Sequence, residues 1–122
     1  MRDITRGGLA TVLTELAGEI RYPILLQEDT VPVSRPVRGA SEILGIDPLY
    51  LACEGRAVLI APAAKAEAIL GRLRALPVGR KARIVGRVQT EIGRPGELIL
   101  RTNAGGLRLL EPLTSELLPR IC

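Results

Sequence analysis

The sequence contains no histidine, phenylalanine or tryptophan among its 122 residues, and each absence narrows what the chain can do. Without histidine, the chain lacks the commonest general base and cannot form a Ser-His or Cys-His dyad from its own residues. Its aromatic side chains are limited to Tyr22 and Tyr50, so the core must be built from leucine, isoleucine, valine and alanine. Two tyrosines are also too few for the aromatic platforms on which single-stranded nucleic acids stack.

Long apolar runs are missing as well. No stretch approaches the roughly 20 consecutive apolar residues that a membrane-spanning helix requires. Arg2, Asp3 and Arg6 interrupt the N-terminus, so we expect no secretory signal peptide there. The composition, 47% hydrophobic and 25% charged, is ordinary for a globular protein, and the length suits one domain with its own core. We therefore expect a cytoplasmic protein that does not bind membranes.

The formal net charge is +4, and arginine supplies nearly all of the positive charge because Lys65 and Lys81 are the only lysines. A basic balance raises the question of nucleic-acid binding. The chain contains no block of five like charges, and it lacks aromatic platforms. We therefore predict a solvated arginine-rich surface rather than a nucleic-acid interface.

Cysteine is also scarce. Cys53 and Cys122 lie far apart in the sequence and form no closely spaced pair, so we expect no metal ligands among them and no disulfide in a reducing cytosol. Cys53 lies in an apolar stretch and is predicted to be a small core residue. Cys122 is the last residue of the sequence. At that position a thiol can move on a short tail, be modified by a second protein and reach a remote site. The alternative is a cysteine with no role at that position.

The apolar spacing predicts an α+β fold in which helices cover a mixed β-sheet. The predicted helices span residues 9–20, 34–45 and 62–77. The predicted strands span residues 22–27, 56–61, 82–90, 97–102 and 107–110. A turn at 93–96 is predicted to join two of these strands as a hairpin. We expect one domain over residues 1–110 and a mobile tail over residues 111–122.

In the second and third helices, the apolar residues are predicted to face the core. The inward positions are Val37, Ala40, Ile43 and Leu44 in one helix and Ala66, Ile69, Leu70 and Leu73 in the other.

The segment before the first helix has the features of an anion site. Adjacent glycines let backbone N–H groups approach an anion at a helix N-terminus, where the helix dipole favours negative charge. Arginines nearby can bind phosphate oxygens, and an aspartate can hold magnesium or orient an arginine. The candidate residues are Arg2, Asp3, Thr5, Arg6, Gly7 and Gly8. The alternative is an ordinary loop with a charged helix start.

A second candidate is Glu54, which follows an apolar stretch and precedes Gly55. A carboxylate in apolar surroundings takes up a proton more readily and can act as a general base. The alternative is a surface glutamate at a turn.

Several of these segments resemble one known family. Residues 1–11 read MRDITRGGLAT, which resembles the MRDPTRGGLA segment of the HypE family of hydrogenase maturation proteins, with Ile4 in place of the usual proline. The similarity continues through residues 44–52, 54–55 and 105–108, and residues 119–122, which read PRIC, resemble the C-terminal signature of that family. It extends over essentially the whole chain.

The resemblance implies a fold similar to the C-terminal domain of aminoimidazole ribonucleotide synthetase. Proteins of this superfamily have two domains, and this chain is similar to the second one only. The first domain supplies much of the contact to ATP and Mg²⁺ and forms the homodimer interface. We therefore expect negligible ATP turnover by this polypeptide alone.

The resemblance also implies a reaction. Family members receive a carbamoyl group on the terminal cysteine from the carbamoyltransferase HypF, and they use ATP to dehydrate it to a thiocyanate. The cyano group then passes to iron on the HypC–HypD scaffold. On this basis Cys122 is the acceptor, Glu54 is the candidate base, and residues 2–8 lie near the phosphates.

Two alternatives remain open at the level of sequence. The chain could be a docking or carrier module that presents its tail without performing chemistry. It could also be the C-terminal half of another ATP-dependent synthetase of the superfamily, which would account for the glycine loop but not for the terminal cysteine.

Overall fold

The structure is a computed structural model that describes residues 1–113. Three helices form where the apolar spacing predicts them: α1 (Gly8–Ile20), α2 (Arg35–Leu44) and α3 (Ala63–Ala75). Gly45 ends α2 in the left-handed conformation, with φ +66°, and its N–H donates to the carbonyl of Ser41. Within the described residues, no helix is long and apolar enough to cross a membrane.

Short strands complete the fold and form a four-stranded sheet and a separate pair. The strands are β1 (Arg2–Asp3), β2 (Ile24–Gln27), β3 (Ala57–Val58), β4 (Gly86–Val88), β5 (Leu98–Arg101) and β6 (Leu107–Leu110). In the larger sheet the order is β4-β2-β5-β6, and β1 pairs with β3. Because β2 runs parallel to β5 while the other pairs in that sheet are antiparallel, the sheet is mixed, and the predicted α+β fold is confirmed.

The core lies between α1 and one face of the four-stranded sheet. Ala10, Leu13 and Ala17 of α1 pack against alternate residues of the strands, of which Leu26 and Leu98 have no exposed surface. Alternation places these residues on one face of the sheet. Within residues 1–113, the buried hydrophobic residues are all leucine, isoleucine, valine or alanine, as the absence of phenylalanine and tryptophan predicts.

The predicted hairpin at residues 93–96 is wrong. Strands β4 and β5, on either side of it, are not neighbours, because β2 lies between them and pairs with both. Strand β2 is short, apolar and buried along most of its length, and a buried strand is most stable in the middle of a sheet. The turn at 103–106 does join two adjacent strands, with the N–H of Thr102 donating to the carbonyl of Gly106 at 2.8 Å.

Two predicted strands are shorter than the pattern indicates. The strand predicted over 56–61 is limited to Ala57–Val58, because its partner among the described residues is the two-residue β1. The strand predicted over 82–90 is limited to Gly86–Val88, and it pairs along three residues of β2. In the first case the length of the partner, rather than the apolar pattern, sets the length of the strand.

The outer faces of α2 and α3 differ from the prediction. Ile43 of α2 is 88% exposed and Leu44 is 66% exposed, while the one buried residue of that helix is Ser41. Helix α3 has no buried residue, and Leu73 is exposed. The helical spacing identifies an apolar face correctly, but it does not say whether this domain contains a surface to cover it.

The expected tail over residues 111–122 lies mostly outside the described residues, since the structure describes only its first three positions. Cys122 belongs to the part that is not described. The predicted domain boundary at residue 110 therefore stays a prediction.

Candidate functional site

Two segments that are distant in the sequence meet on one backbone ladder. Beyond the β1–β3 pair, the N–H of Ile4 donates to the carbonyl of Arg56 at 3.2 Å, and the N–H of Cys53 donates to the carbonyl of Ile4 at 3.0 Å. Glu54 and Gly55 form the turn between these two bonds, and Gly55 adopts φ +69°. The structure therefore places the Glu54 turn directly beside the N-terminal segment.

Gly8 brings the start of α1 against the backbone of residues 49–51. Its φ is +67°, and a Cβ atom at this position would lie 2.4 Å from the carbonyl oxygen of Leu49 and 2.7 Å from that of Leu51. Gly7 precedes it with φ +64° and caps α1 without any side-chain hydrogen bond. The first N–H groups of α1 are thus not capped by a side chain within the described residues, which is the arrangement that favours an anion.

Arg2 is engaged in contacts of its own. Its guanidinium donates to Glu15 at 3.1 Å and also forms an ion pair with Glu19, both on α1. These contacts tie β1 to α1. Arg2 must leave both carboxylates before it can bind a phosphate, so the predicted phosphate role is less direct for Arg2 than for Arg6, which is exposed and makes no ion pair within residues 1–113.

The remaining predicted residues differ in exposure. Asp3 is exposed on β1, and Thr5 is half-buried in the loop that follows. Glu54 is exposed at its turn, so the apolar surroundings that favour a general base are not supplied by residues 1–113. Cys53 is half-buried rather than a full core residue, and its Sγ donates to the carbonyl of Leu51 at 3.5 Å.

No group of three or more histidine, cysteine, aspartate or glutamate side chains comes together as a possible metal site in the part of the chain that the structure describes. Among these residues Asp3 therefore belongs to no such group, and we consider it as a single carboxylate ligand. Such a ligand fits Mg²⁺ held mainly by water and substrate phosphates, which is how this ion commonly binds.

Sequence reasoning missed a cluster that links residues 47–50 to the end of β6. Asp47 accepts the N–H of Leu49 at 2.9 Å through Oδ1 and the guanidinium of Arg108 at 2.5 Å through Oδ2. The hydroxyl of Tyr50 donates to the carbonyl of Glu111 at 2.7 Å. Both links span 61 residues. The signal was present, because Asp47, Tyr50 and Arg108 all lie in the segments that resemble the HypE family.

A cleft of about 340 Å³ adjoins this cluster, between α2 and β6. Arg38, Ser41 and Glu42 of α2 line one side, and Asp47 and Arg108 line the other. The polar side of α2 therefore faces the domain while its apolar side faces outward.

Tyr50 has an altered acidity at this junction. Burial raises the pKa of the Tyr50 phenol above its ordinary value of 10.0, and the negative charge of Asp47 raises it further. Because the folded pKa is raised, the unfolded chain ionises first as the pH increases. This contribution to stability is complete below pH 10 and is lost progressively above it.

Replacing Tyr50 by phenylalanine tests this junction. We expect Tyr50→Phe to lower the free energy of unfolding by about 1 kcal/mol at neutral pH, because the hydrogen bond to Glu111 is lost. The difference from the parent chain should shrink above pH 10, where the parent loses its own contribution. Urea unfolding at neutral pH and above pH 10 measures the free energy of unfolding of both proteins. Tyr22→Phe is the matched control, since Tyr22 is 51% exposed; equal effects of the two variants would contradict the assignment.

The comparisons with known proteins agree with this architecture. Residues 1–93 match the family model described as AIR synthase related protein, C-terminal domain. The chain is 47% identical over 122 residues to carbamoyl dehydratase HypE of Cupriavidus necator, and 46% identical over 121 residues to that of Rhodobacter capsulatus. These matches cover 100% and 99% of this chain but only 34% and 35% of the relatives. The chain thus spans about a third of the length of the curated relatives it matches.

Solved structures show the same relationship. A crystal structure of hydrogenase maturation protein HypE superposes with a TM-score of 0.91 at 46% identity, covering 99% of this chain and 39% of that one. HypE in complex with ATP gives a TM-score of 0.89 at 46% identity, with 99% and 37% covered. A HypE–HypF complex gives 0.83 at 33% identity, with 92% and 35% covered.

Proposed function

The chain belongs to the family of AIR synthase related C-terminal domains, and we propose that it is the C-terminal domain of a HypE-type carbamoyl dehydratase in nickel–iron hydrogenase maturation. The observation that carries this proposal is the meeting of the glycine loop and the Glu54 turn on one backbone ladder. Identity of 46–47% to carbamoyl dehydratases over nearly the whole chain supports it.

In the proposed reaction, the Cys122 thiolate attacks an activated carbamoyl group, and a thiocarbamate forms on sulfur as the donor's leaving group departs. Conversion of this thiocarbamate to a thiocyanate removes its oxygen and two N–H protons. ATP, when bound, supplies the phosphoryl group that makes the carboxamide oxygen a leaving group. Glu54 is the proposed base that accepts the protons from nitrogen.

The glycine loop is the proposed contact to the nucleotide. Gly7 and Gly8 leave the N-terminus of α1 without a side-chain cap from residues 1–113, so its N–H groups can face phosphate oxygens. Arg6 adds positive charge, and Asp3 is the proposed single carboxylate ligand of Mg²⁺. A HypE relative, of which this chain covers 37%, has been solved with ATP, which supports ATP as the nucleotide. In a protein as long as the HypE relatives, the remaining two-thirds would supply the other contacts to the nucleotide. It would also supply the apolar surroundings of Glu54 and the homodimer interface.

The proposed partners follow from the same scheme. The carbamoyl donor is a HypF-type carbamoyltransferase, and a solved HypE–HypF complex supports this choice. The receiver of the cyano group is a HypC–HypD scaffold, and the compartment is the cytoplasm.

One observation favours a second candidate, a carrier module without catalysis. Within residues 1–113, Glu54 is exposed and Arg2 is bound to α1 carboxylates, so the described part of the site is incomplete. A carrier would accept the carbamoyl group on Cys122 and present it to a separate catalytic partner.

The acceptor role is tested by substituting each cysteine in turn. We expect the parent chain, incubated with the carbamoyltransferase, carbamoyl phosphate and ATP, to gain one carbamoyl group in its C-terminal peptide. Cys122→Ser should abolish this gain completely, because serine offers no thiolate at neutral pH. Cys53→Ser is the matched control and should be loaded normally. Mass spectrometry of the digested chain measures both, and a group found on Cys53 would contradict the proposal.

A further inference from the structure

One short segment carries the entire excess of positive charge. Residues 72–83, which we call the basic knob, hold five of the 17 basic residues and none of the 13 acidic ones. The rest of the chain therefore has a formal charge of −1. All five cationic side chains are exposed. They are Arg72, Arg74, Arg80, Lys81 and Arg83.

The basic knob is compact because consecutive turns follow the end of α3. The N–H of Leu76 donates to Leu73 at 3.1 Å, that of Gly79 to Leu76 at 3.0 Å, and that of Ala82 to Gly79 at 2.9 Å. The guanidinium of Arg74 then closes the knob by donating to the carbonyl of Ala82 at 3.0 Å. The five cations therefore project from one small unit.

The fold does not account for the surface of this unit. Basic residues in the last turn of a helix are favoured by the helix dipole, which explains Arg72 and Arg74. The three cations that follow the helix lie beyond its last turn, so the helix dipole does not explain them. None of the five cations forms an ion pair within residues 1–113. Between them Val78 is 97% exposed and Leu76 is 52% exposed.

A mixture of cations and exposed apolar side chains indicates a protein partner. Nucleic-acid phosphates bind the cations but not the apolar side chains. A protein surface with carboxylates around an apolar socket would bind both the cations and the apolar side chains. Cations at the rim of an interface mainly raise the association rate, and a buried apolar centre slows dissociation.

We propose that the basic knob docks an acidic surface, with an apolar socket for Val78, on the protein that loads the carbamoyl group onto Cys122. This inference rests on the proposed function, because that function requires a second protein to deliver the group. The knob holds the donor while the C-terminal segment carries its thiol to the donor's active site.

The test measures binding of this chain to a purified HypF-type carbamoyltransferase by biolayer interferometry. The knob variant carries Arg80→Glu, Lys81→Glu and Arg83→Glu. The control variant carries Arg35→Glu, Arg94→Glu and Arg101→Glu, which change the charge equally at exposed positions outside the knob. Circular dichroism melting checks that both variants are folded. We expect the knob variant to bind at least ~10-fold more slowly at low salt and to lose most of its salt dependence, while the control keeps both.

The outcomes separate the two proposals. If the parent binds and is loaded on Cys122 but the knob variant binds as well as the parent, or no worse than the control, the docking inference is wrong and the proposed function stands. If the parent is neither bound nor loaded, the proposed function fails and the inference fails with it. Knob-dependent binding of a duplex oligonucleotide, of the N-terminal two-thirds of a HypE relative or of a second copy of the chain, in place of carbamoyltransferase binding, would also overturn it.

Discussion

Replacing Gly8 by alanine is expected to destabilise the fold far more than the same change at Gly45, the left-handed glycine that ends α2. The new Cβ would lie 2.4 Å from the Leu49 carbonyl oxygen, and the backbone there cannot rotate away as a side chain can. The φ of +67° adds strain for any residue with a Cβ. We expect a loss of about 2–5 kcal/mol in the free energy of unfolding, from strain and overpacking together.

Gly45→Ala is the matched control for that change. Gly45 has nearly the same φ, +66°, but a Cβ there meets nothing within 4 Å, so only the left-handed strain of about 1–2 kcal/mol is expected. Urea denaturation followed by circular dichroism compares the two variants. Equal losses would mean that the contact between α1 and residues 49–51 does not hold the glycine loop in place.

Glu54→Gln is expected to stop dehydration while leaving loading intact. Glutamine keeps the shape of the side chain but cannot accept a proton, and loss of a general base typically slows a reaction by about 10²–10⁴-fold. In the proposed reaction, loading takes place on Cys122 with a donor protein and does not use this carboxylate. With the N-terminal two-thirds of a HypE relative present, the parent should dehydrate the group whereas the thiocarbamate should accumulate on the variant. Mass spectrometry of the C-terminal peptide would distinguish the two by the loss of one water.

The control for that substitution is Glu67→Gln, an exposed glutamate on α3 outside the basic knob. It makes the same chemical change far from the N-terminal ladder in sequence and should alter neither step. Dehydration by Glu54→Gln at the parent rate would remove Glu54 from the mechanism and would favour the carrier module.

The helices and the aliphatic core could be predicted because they depend on local spacing. Leu9, Leu13 and Leu16 recur at helical intervals, and α1 forms there. Strand pairing could not be predicted in the same way, since an apolar pattern identifies a strand but not its neighbour. The position of β2 between β4 and β5 depends on pairing between segments far apart in the sequence. The connection from β4 to β5 therefore crosses over β2 instead of forming the predicted hairpin.

In the candidate site, too, the individual residues could be predicted from the sequence, but the contacts between them could not. The glycine loop and Glu54 could be identified from residue type and resemblance, but their meeting depends on hydrogen bonds of Ile4 to Cys53 and Arg56, about fifty residues apart. The ion pair of Asp47 with Arg108 likewise needs coordinates, because neither residue signals its partner in the sequence.

Helices α2 and α3 leave apolar side chains exposed on their outer faces. Ile43 and Leu44 project outward from α2, and the chain corresponds to about a third of its relatives. Apolar surface of this kind is what a larger protein would cover. The sequence pattern predicted an apolar face, and only the structure showed that this domain leaves it open.

The central proposal is that a thiol at Cys122 carries a one-carbon unit to the ladder that joins the glycine loop to Glu54. The most direct measurement is the mass of the C-terminal peptide through one time course, first with the carbamoyltransferase, carbamoyl phosphate and ATP, and then with the N-terminal two-thirds of a HypE relative added. The proposal predicts a gain of one carbamoyl group on Cys122, followed by loss of one water only after the second addition. A Cys122 that stays unmodified throughout, while the donor remains active on a HypE relative, would contradict it.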